Sequence, residues 1–182
     1  MRIARLKWLL LLLFILTLIF CFKPIGRLFY PFPYQKIVFY QAQKNGLNPY
    51  LMAAVIKTES NFNPLALSAK GARGLMQIMP ETGKWAASQT GQVEFKLEHL
   101  DEPEVNICLG SWYLAELKRE FYGNTILALA AYNGGRENVS RWLQQKQWVG
   151  ELTDLDSLPF PETRQFIRKV LWNYKVYQYL YG

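Results

Sequence analysis

The chain has 182 residues, 51% of them apolar and 15% aromatic, enough to bury a core in one domain and too apolar for extended disorder. Its formal charge of +7 points to nucleic acid only until the charges are placed: Arg2, Arg5, Lys7, Lys23 and Arg27 precede Tyr34, all 14 acids follow it, and from Gln35 onward the balance is 16 basic to 14 acidic residues. With one histidine, two cysteines and no phosphate loop, the parts for metal, thiol and nucleotide mechanisms are missing, and no DNA- or RNA-binding face, metal or cofactor is expected.

Residues 1–23 read as a signal anchor or signal peptide: three basic residues, then an apolar run from Trp8 to Phe22, closed by Lys23-Pro24. Fifteen helical residues would rise roughly 22 Å at ~1.5 Å each, short of the ~30 Å hydrocarbon core, so spanning needs Leu6 and a snorkelling Lys7 to help. The stretch Leu18 to Tyr30 is nearly all bulky and offers a signal peptidase no site of small residues, so a retained anchor is expected over a cleaved peptide. Phe20 before Cys21 likewise disfavours a lipoprotein. The basic cluster should stay cytoplasmic, placing the rest of the chain on the outer side of the cell membrane, or secreted if the segment is cleaved.

Residues 24–34, with three prolines and four aromatics, fit either a stiff juxtamembrane linker whose rings rest at the bilayer or a first lid packed on the domain. From residue 35 to 182 the pattern is helical throughout. Ile37, Val38, Tyr40 and Gln41 begin a helix that Gly46 ends. Asn48-Pro49 is a cap with proline at the first helical position, and Leu51, Ala54, Val55 and Thr58 give an amphipathic spacing that runs to about Glu59. Pro80 opens a helix to about Gln89. Asp101 to Glu104 puts acid at the start of another that reaches Phe121. Ile126 to Tyr132 is too apolar for an exposed face and predicts a central helix ending at Gly134-Gly135. Val139, Trp142 and Leu143 mark the next, and Pro161 to Leu180 a long closing helix. No alternating run, hairpin turn or repeat is present, so the fold class is all-α. Cys108 reads as a small buried residue without a disulfide partner, and His99, lacking a second ligand at metal spacing, as structural or exposed.

Chemistry concentrates between Glu59 and Pro80, where a single acid ends an apolar helix and a small-residue turn leads into Met-Gln-Ile-Met. Apolar surroundings would disfavour the ionised form of Glu59 and keep it protonated as a proton donor. No second acid lies within about twenty residues on either side, though a distant one such as Asp101 can fold nearby.

Five ordered motifs carry a resemblance. They are Glu59-Ser60-x-Phe62-x-Pro64; Ser68 with Gly71-Ala72-x-Gly74-Leu75-Met76-Gln77-Ile78-Met79-Pro80-x-Thr82; Asn106-Ile107-x-x-Gly110; Ala131-Tyr132-Asn133-x-Gly135; and Pro161-Glu162-Thr163. In this order they resemble the soluble lytic transglycosylase (SLT) family over roughly residues 35–182. The resemblance implies a goose-type, lysozyme-like helical domain acting on peptidoglycan glycan strands. It further implies cleavage of the β-1,4 bond between N-acetylmuramic acid and N-acetylglucosamine with 1,6-anhydro ring formation, Glu59 serving as general acid and then base. Ser68, Met76, Gln77, Tyr132 and Asn133 match groove-lining positions, and Glu162 an acid that acts through Glu59 at most. Each keeps a plainer reading: Met76 and Met79 as core filler, Asn133 as a helix-end cap, Glu162 as charge at a helix start. Two other functions remain open at this point, a hydrolytic muramidase of the same fold and a non-catalytic scaffold module that binds peptidoglycan; protein partners are not specified.

Overall fold

A computed structural model describes residues 22–182 except Val93, together with Thr17. The expected anchor over residues 1–23 falls almost entirely outside the described residues. Among those described, no helix is long and apolar enough to cross a membrane. The helices are α1 (described over residues 22–29), α2 (Gln35–Asn45), α3 (Pro49–Ser60), α4 (Pro80–Gln89), α5 (Pro103–Glu120), α6 (Thr125–Gly134), α7 (Arg136–Gln144) and α8 (Pro161–Tyr181). Short 3-10 turns lie at Leu97–Asp101 and Leu155–Ser157. The described residues hold no named strand, only two isolated bridges, Leu67 to Arg73 and Arg73 to Ile78, so the all-α class stands.

Local chemistry sets the ends of the two central helices. The Asn48 side chain accepts from the amides of Tyr50 and Leu51 and caps α3, with Pro49 at its first position. Asn124 does the same for α6 through Ile126 and Leu127. The amphipathic spacing expected for α3 is not what the packing uses: Leu51 through Ile56 are buried in six consecutive positions, because α2 and above all α8 pack against it. Ala53 and Ala54 let neighbouring helices approach closely. After Ser60 the backbone turns sharply, with Asn61 and Phe62 at φ of 52° and 63°, and this leaves Glu59 on the last turn of α3.

Of the two readings for residues 24–34, the contacts are those of a segment packed on the domain, not of a linker standing away from it. Arg27 donates to the Leu180 carbonyl at 2.7 and 3.0 Å, Tyr177 to the carbonyl of Pro31 at 2.9 Å and Tyr181 to that of Tyr30 at 2.8 Å. Phe32 is buried among Phe39, Phe62, Tyr177 and Tyr181. Pro24 lies within α1, and Pro31 and Pro33 shape the turn after it, where α8 donates to the carbonyls of Tyr30 and Pro31.

The loop between α3 and α4 is fixed by one buried side chain. Asn106, fully buried on α5, accepts from the Met76 amide at 2.7 Å and donates to the carbonyls of Leu100 at 2.7 Å and Arg73 at 3.0 Å. Gly74, at φ 76°, passes so close that a Cβ there would overlap the Leu100 carbonyl and the Asn106 amide. Arg73 also pairs with Asp101, and the Ser60 hydroxyl donates to the Leu75 carbonyl at 2.8 Å. Asn106→Leu would leave the Met76 amide and the Leu100 carbonyl buried and unpaired, while the Arg73 carbonyl keeps the Ile78 amide. A loss on the order of 3 kcal/mol is expected, read as a lower urea midpoint at unchanged m-value.

Candidate active site

Glu59 stands at a cleft of about 340 Å³ whose lining includes Ser68, Gln77, Met79, Tyr132, Asn133 and Glu162. Three parts of the chain meet there: the end of α3, the 61–79 loop and the junction of α6 with the start of α8. Burial raises the Glu59 pKa from 4.5 to about 8, and the nearby Glu162 charge adds to the rise. A carboxyl so placed holds its proton at neutral pH. Tyr132 is held beside it. Its hydroxyl donates to the Met76 carbonyl at 2.7 Å, and its ring lies 5.5 Å from Tyr113. Burial first, then the charge of Glu59, pushes its own pKa well above 10, so the phenol stays neutral.

The polar wall has a definite pattern of donors and acceptors. Gln77 sits at φ 47°, a left-handed conformation that a non-glycine residue adopts only where its surroundings enforce it. Its amide nitrogen donates to the carbonyls of Ala66 and Gly74, both at 3.0 Å. Both amide protons are thereby spent inside the fold, and only the acceptor Oε1 can meet a ligand. Asn133 is the reverse: its Oδ1 accepts from the Thr163 hydroxyl at 2.8 Å, leaving Nδ2 as a donor. Ser68 Oγ accepts from the Ala72 amide at 2.9 Å, so its proton remains to be given. The Lys70 ammonium lies 3.9 Å from the Glu162 carboxylate at an exposed part of the lining.

The structure departs from the expected groove at Met76, while Asn133 and Glu162 line the cleft. Met76 is fully buried, wedged against Gly110, where a Cβ would come within 2.5 Å of its sulfur. It reaches the cleft only through the carbonyl that Tyr132 uses. Met79, 42% exposed, lines the cleft in its place, since the turn around Gln77 breaks the helical register that the Met-Gln-Ile-Met spelling suggests. Asn133 caps nothing: α6 continues to Gly134 and Gly135 takes the cap. Glu162 lines the cleft itself, whereas Asp101, the distant acid considered above, is engaged with Arg73. Lys70 was not singled out by the sequence, where only its place within the turn before Pro80 could have indicated it, and Met79 was read there within the motif and as core filler, not as a cleft residue. Outside the cleft, His99 Nδ1 accepts from the Lys96 amide at 3.2 Å within a turn, and Cys108 is partly buried and free.

Comparison with known proteins gives a consistent picture. The family described as Transglycosylase SLT domain matches residues 36–154. The soluble lytic murein transglycosylase of Salmonella typhimurium is 32% identical over 155 residues, covering 84% of this chain and 24% of its own length. The lytic transglycosylase Slt of Pseudomonas aeruginosa, solved as an inactive Glu-to-Gln variant, superposes with a TM-score of 0.75 at 34% identity, over 83% of this chain and 25% of that one. The 70 kDa soluble lytic transglycosylase of Escherichia coli gives a TM-score of 0.79 at 30% identity, over 86% and 26%. The chain thus spans about a quarter of the length of these relatives.

The raised pKa of Glu59 has a stability counterpart. Between pH 4.5 and about 8 the folded chain keeps a proton that the unfolded chain releases, so stability falls as pH rises through that window. Glu59→Gln removes the burden while keeping the shape. At pH 8 the variant is expected to melt above the wild type, by a margin on the order of a few kcal/mol that closes as pH falls to 4.5, measured by thermal denaturation across pH.

Proposed function

The chain belongs to the transglycosylase SLT domain family, and from that footing we propose that it is a lytic transglycosylase cutting the β-1,4 bond between N-acetylmuramic acid and N-acetylglucosamine in peptidoglycan. The observation that carries the reading is the proton held by Glu59 in a cleft with amide and hydroxyl groups on its wall. Glu59 gives that proton to the bridging oxygen as the bond to muramoyl C1 breaks, and the N-acetylglucosamine side leaves as an alcohol. The substrate's acetamido oxygen supports the cationic C1. The resulting Glu59 carboxylate takes the proton of the muramoyl C6 hydroxyl while O6 closes on C1, which forms the 1,6-anhydro ring and restores the acid. No water enters. One carboxyl serves both halves, in contrast to the two that ordinary glycosidases use, and a single Glu-to-Gln exchange in the inactive Pseudomonas relative accords with this.

In this reading Gln77 Oε1 accepts from sugar hydroxyl or acetamido N–H groups, while Asn133 Nδ2 and the Ser68 hydroxyl donate to acetamido or ring oxygens. Tyr132 shapes the wall over C1, and Met79 offers an apolar contact to a sugar face where Met76 was first expected. The domain works outside the membrane, held by residues 1–23 or released if that segment is cleaved.

Glu162 gives a specific reason to weigh a hydrolytic muramidase, since it is a second carboxyl on the cleft and a second carboxyl can activate water. Its exposed position and its lysine neighbour make it the weaker candidate for chemistry. Digestion of purified sacculi followed by mass spectrometry separates the two: anhydro products are lighter by one water and have no reducing end. Cleavage is expected to give anhydro products, to be abolished in Glu59→Gln with sacculus binding retained, and to persist in Glu162→Gln. Activity is expected to fall as pH rises past about 8, where Glu59 loses its proton. Reducing-end products would establish the muramidase, and full activity of Glu59→Gln would overturn both.

A further inference from the structure

At the opposite end of α8 from the cleft, α1 and the last turns of α8 form an almost wholly apolar trough of about 400 Å³, lined by Phe22, Gly26, Phe29, Trp172, Val176 and Tyr179 among others. Its residues are large and open to solvent: Leu28 is 79% exposed beside it, Phe29 72% and Trp172 65%. The two helices meet closely because Gly26 leaves room for Leu180, whose Cδ2 a Cβ would approach to 2.8 Å. Cations stand over aromatic rings here, Lys23 at 5.2 Å from Tyr179 and Arg27 at 4.9 Å from Tyr181, with Lys175 also lining the trough.

The charges of the chain are segregated along its sequence. Residues 22–58 and 163–182 contain nine basic residues and no acid, whereas residues 59–162 contain nine basic and fourteen acidic ones. Arg164 and Arg168 engage Asp156, whereas at the trough Lys23, Arg27 and Lys175 stand with no carboxylate in the lining, and a surface with charge of one sign selects an oppositely charged partner. We propose that the α1–α8 face rests on an anionic lipid bilayer, Trp172 and Phe29 entering the interfacial region and Lys23, Arg27 and Lys175 meeting the headgroups.

Three observations favour a bilayer over other occupants. The chain arrives at Phe22, on the trough, directly from the apolar run that begins at Trp8, so this face lies where a membrane segment would deliver the domain. Its make-up, large apolar and aromatic side chains ringed by Lys and Arg, is that of an interfacial contact. A second copy of the chain would bring Lys23, Arg27 and Lys175 against their counterparts, with no carboxylate in the trough lining to offset them, which like-charge repulsion opposes. This contact is independent of the chemistry in the cleft.

The test uses the full chain in nanodiscs of equal parts phosphatidylcholine and phosphatidylglycerol, with acyl chains brominated close to the headgroup. Trp8 contributes equally to wild type and Trp172→Phe, so the difference in tryptophan quenching between them reports Trp172 alone. Wild-type fluorescence is expected to be quenched more strongly than that of Trp172→Phe, and the difference to be lost in phosphatidylcholine discs and in the Lys23→Gln, Lys175→Gln double variant. Equal quenching of wild type and Trp172→Phe in the anionic discs would overturn the proposal. So would two chains per disc with Trp172 unquenched, which would assign the face to a second copy.

Discussion

The Asn106 carboxamide is the constraint on which the remainder of the site depends. A fully buried amide with an amide donor and two carbonyl acceptors as partners admits one arrangement of the loop that crosses it. That arrangement requires glycine at position 74, passes the chain through the left-handed turn at Gln77, and presents the Met76 carbonyl to the Tyr132 hydroxyl. The cleft is therefore set by a core contact well away from Glu59. Buried polar groups of this kind add little net stability when satisfied and are costly when half-satisfied, so their main effect is to exclude alternative backbones.

The electrostatics of the cleft follow from what is withheld from Glu59. The Tyr132 hydroxyl, whose pKa is raised first by burial and then by the charge of Glu59, spends its proton on a backbone carbonyl. Lys70, a cation on the cleft lining, sits by Glu162. Desolvation then dominates and the acid stays neutral, the condition for protonating a leaving oxygen. The same desolvation opposes a lasting anion at this position, which suits a cycle whose second half returns the proton. An acid of this sort is held at a cost to folding, and the buried run of α3 behind it supplies the offsetting apolar contact.

Helix identity was legible in the sequence because caps and prolines announce it locally: Asn48-Pro49, Pro80 and Pro161 mark starts that the structure keeps. Side-chain direction was less so. Periodicity assigned α3 one buried face, yet α3 is enclosed by partners that lie far along the chain, and nothing local encodes them. Met76 and Met79 share a spacing, but the left-handed Gln77 lies between them and sends one into the core and the other to the cleft. The motif from Asn106 to Gly110 was visible as a pattern; its reasons, an amide clamp and room for a methionine sulfur, are tertiary. For residues 24–34 the prolines suggested a stiff linker, while the tyrosine hydroxyls that fasten the segment to the domain stood some 150 positions away.

Helix α8 carries Glu162 on its first turn and Tyr179 near its last, a separation of seventeen residues, or at most about 25 Å of rise. A single stiff rod with a carboxylate of the cleft at one tip and an oily, cationic foot at the other behaves as a gauge. Standing on a lipid surface, it would fix the height at which a polymer strand can be gripped, so that reach becomes a matter of helix length and tilt instead of tether slack.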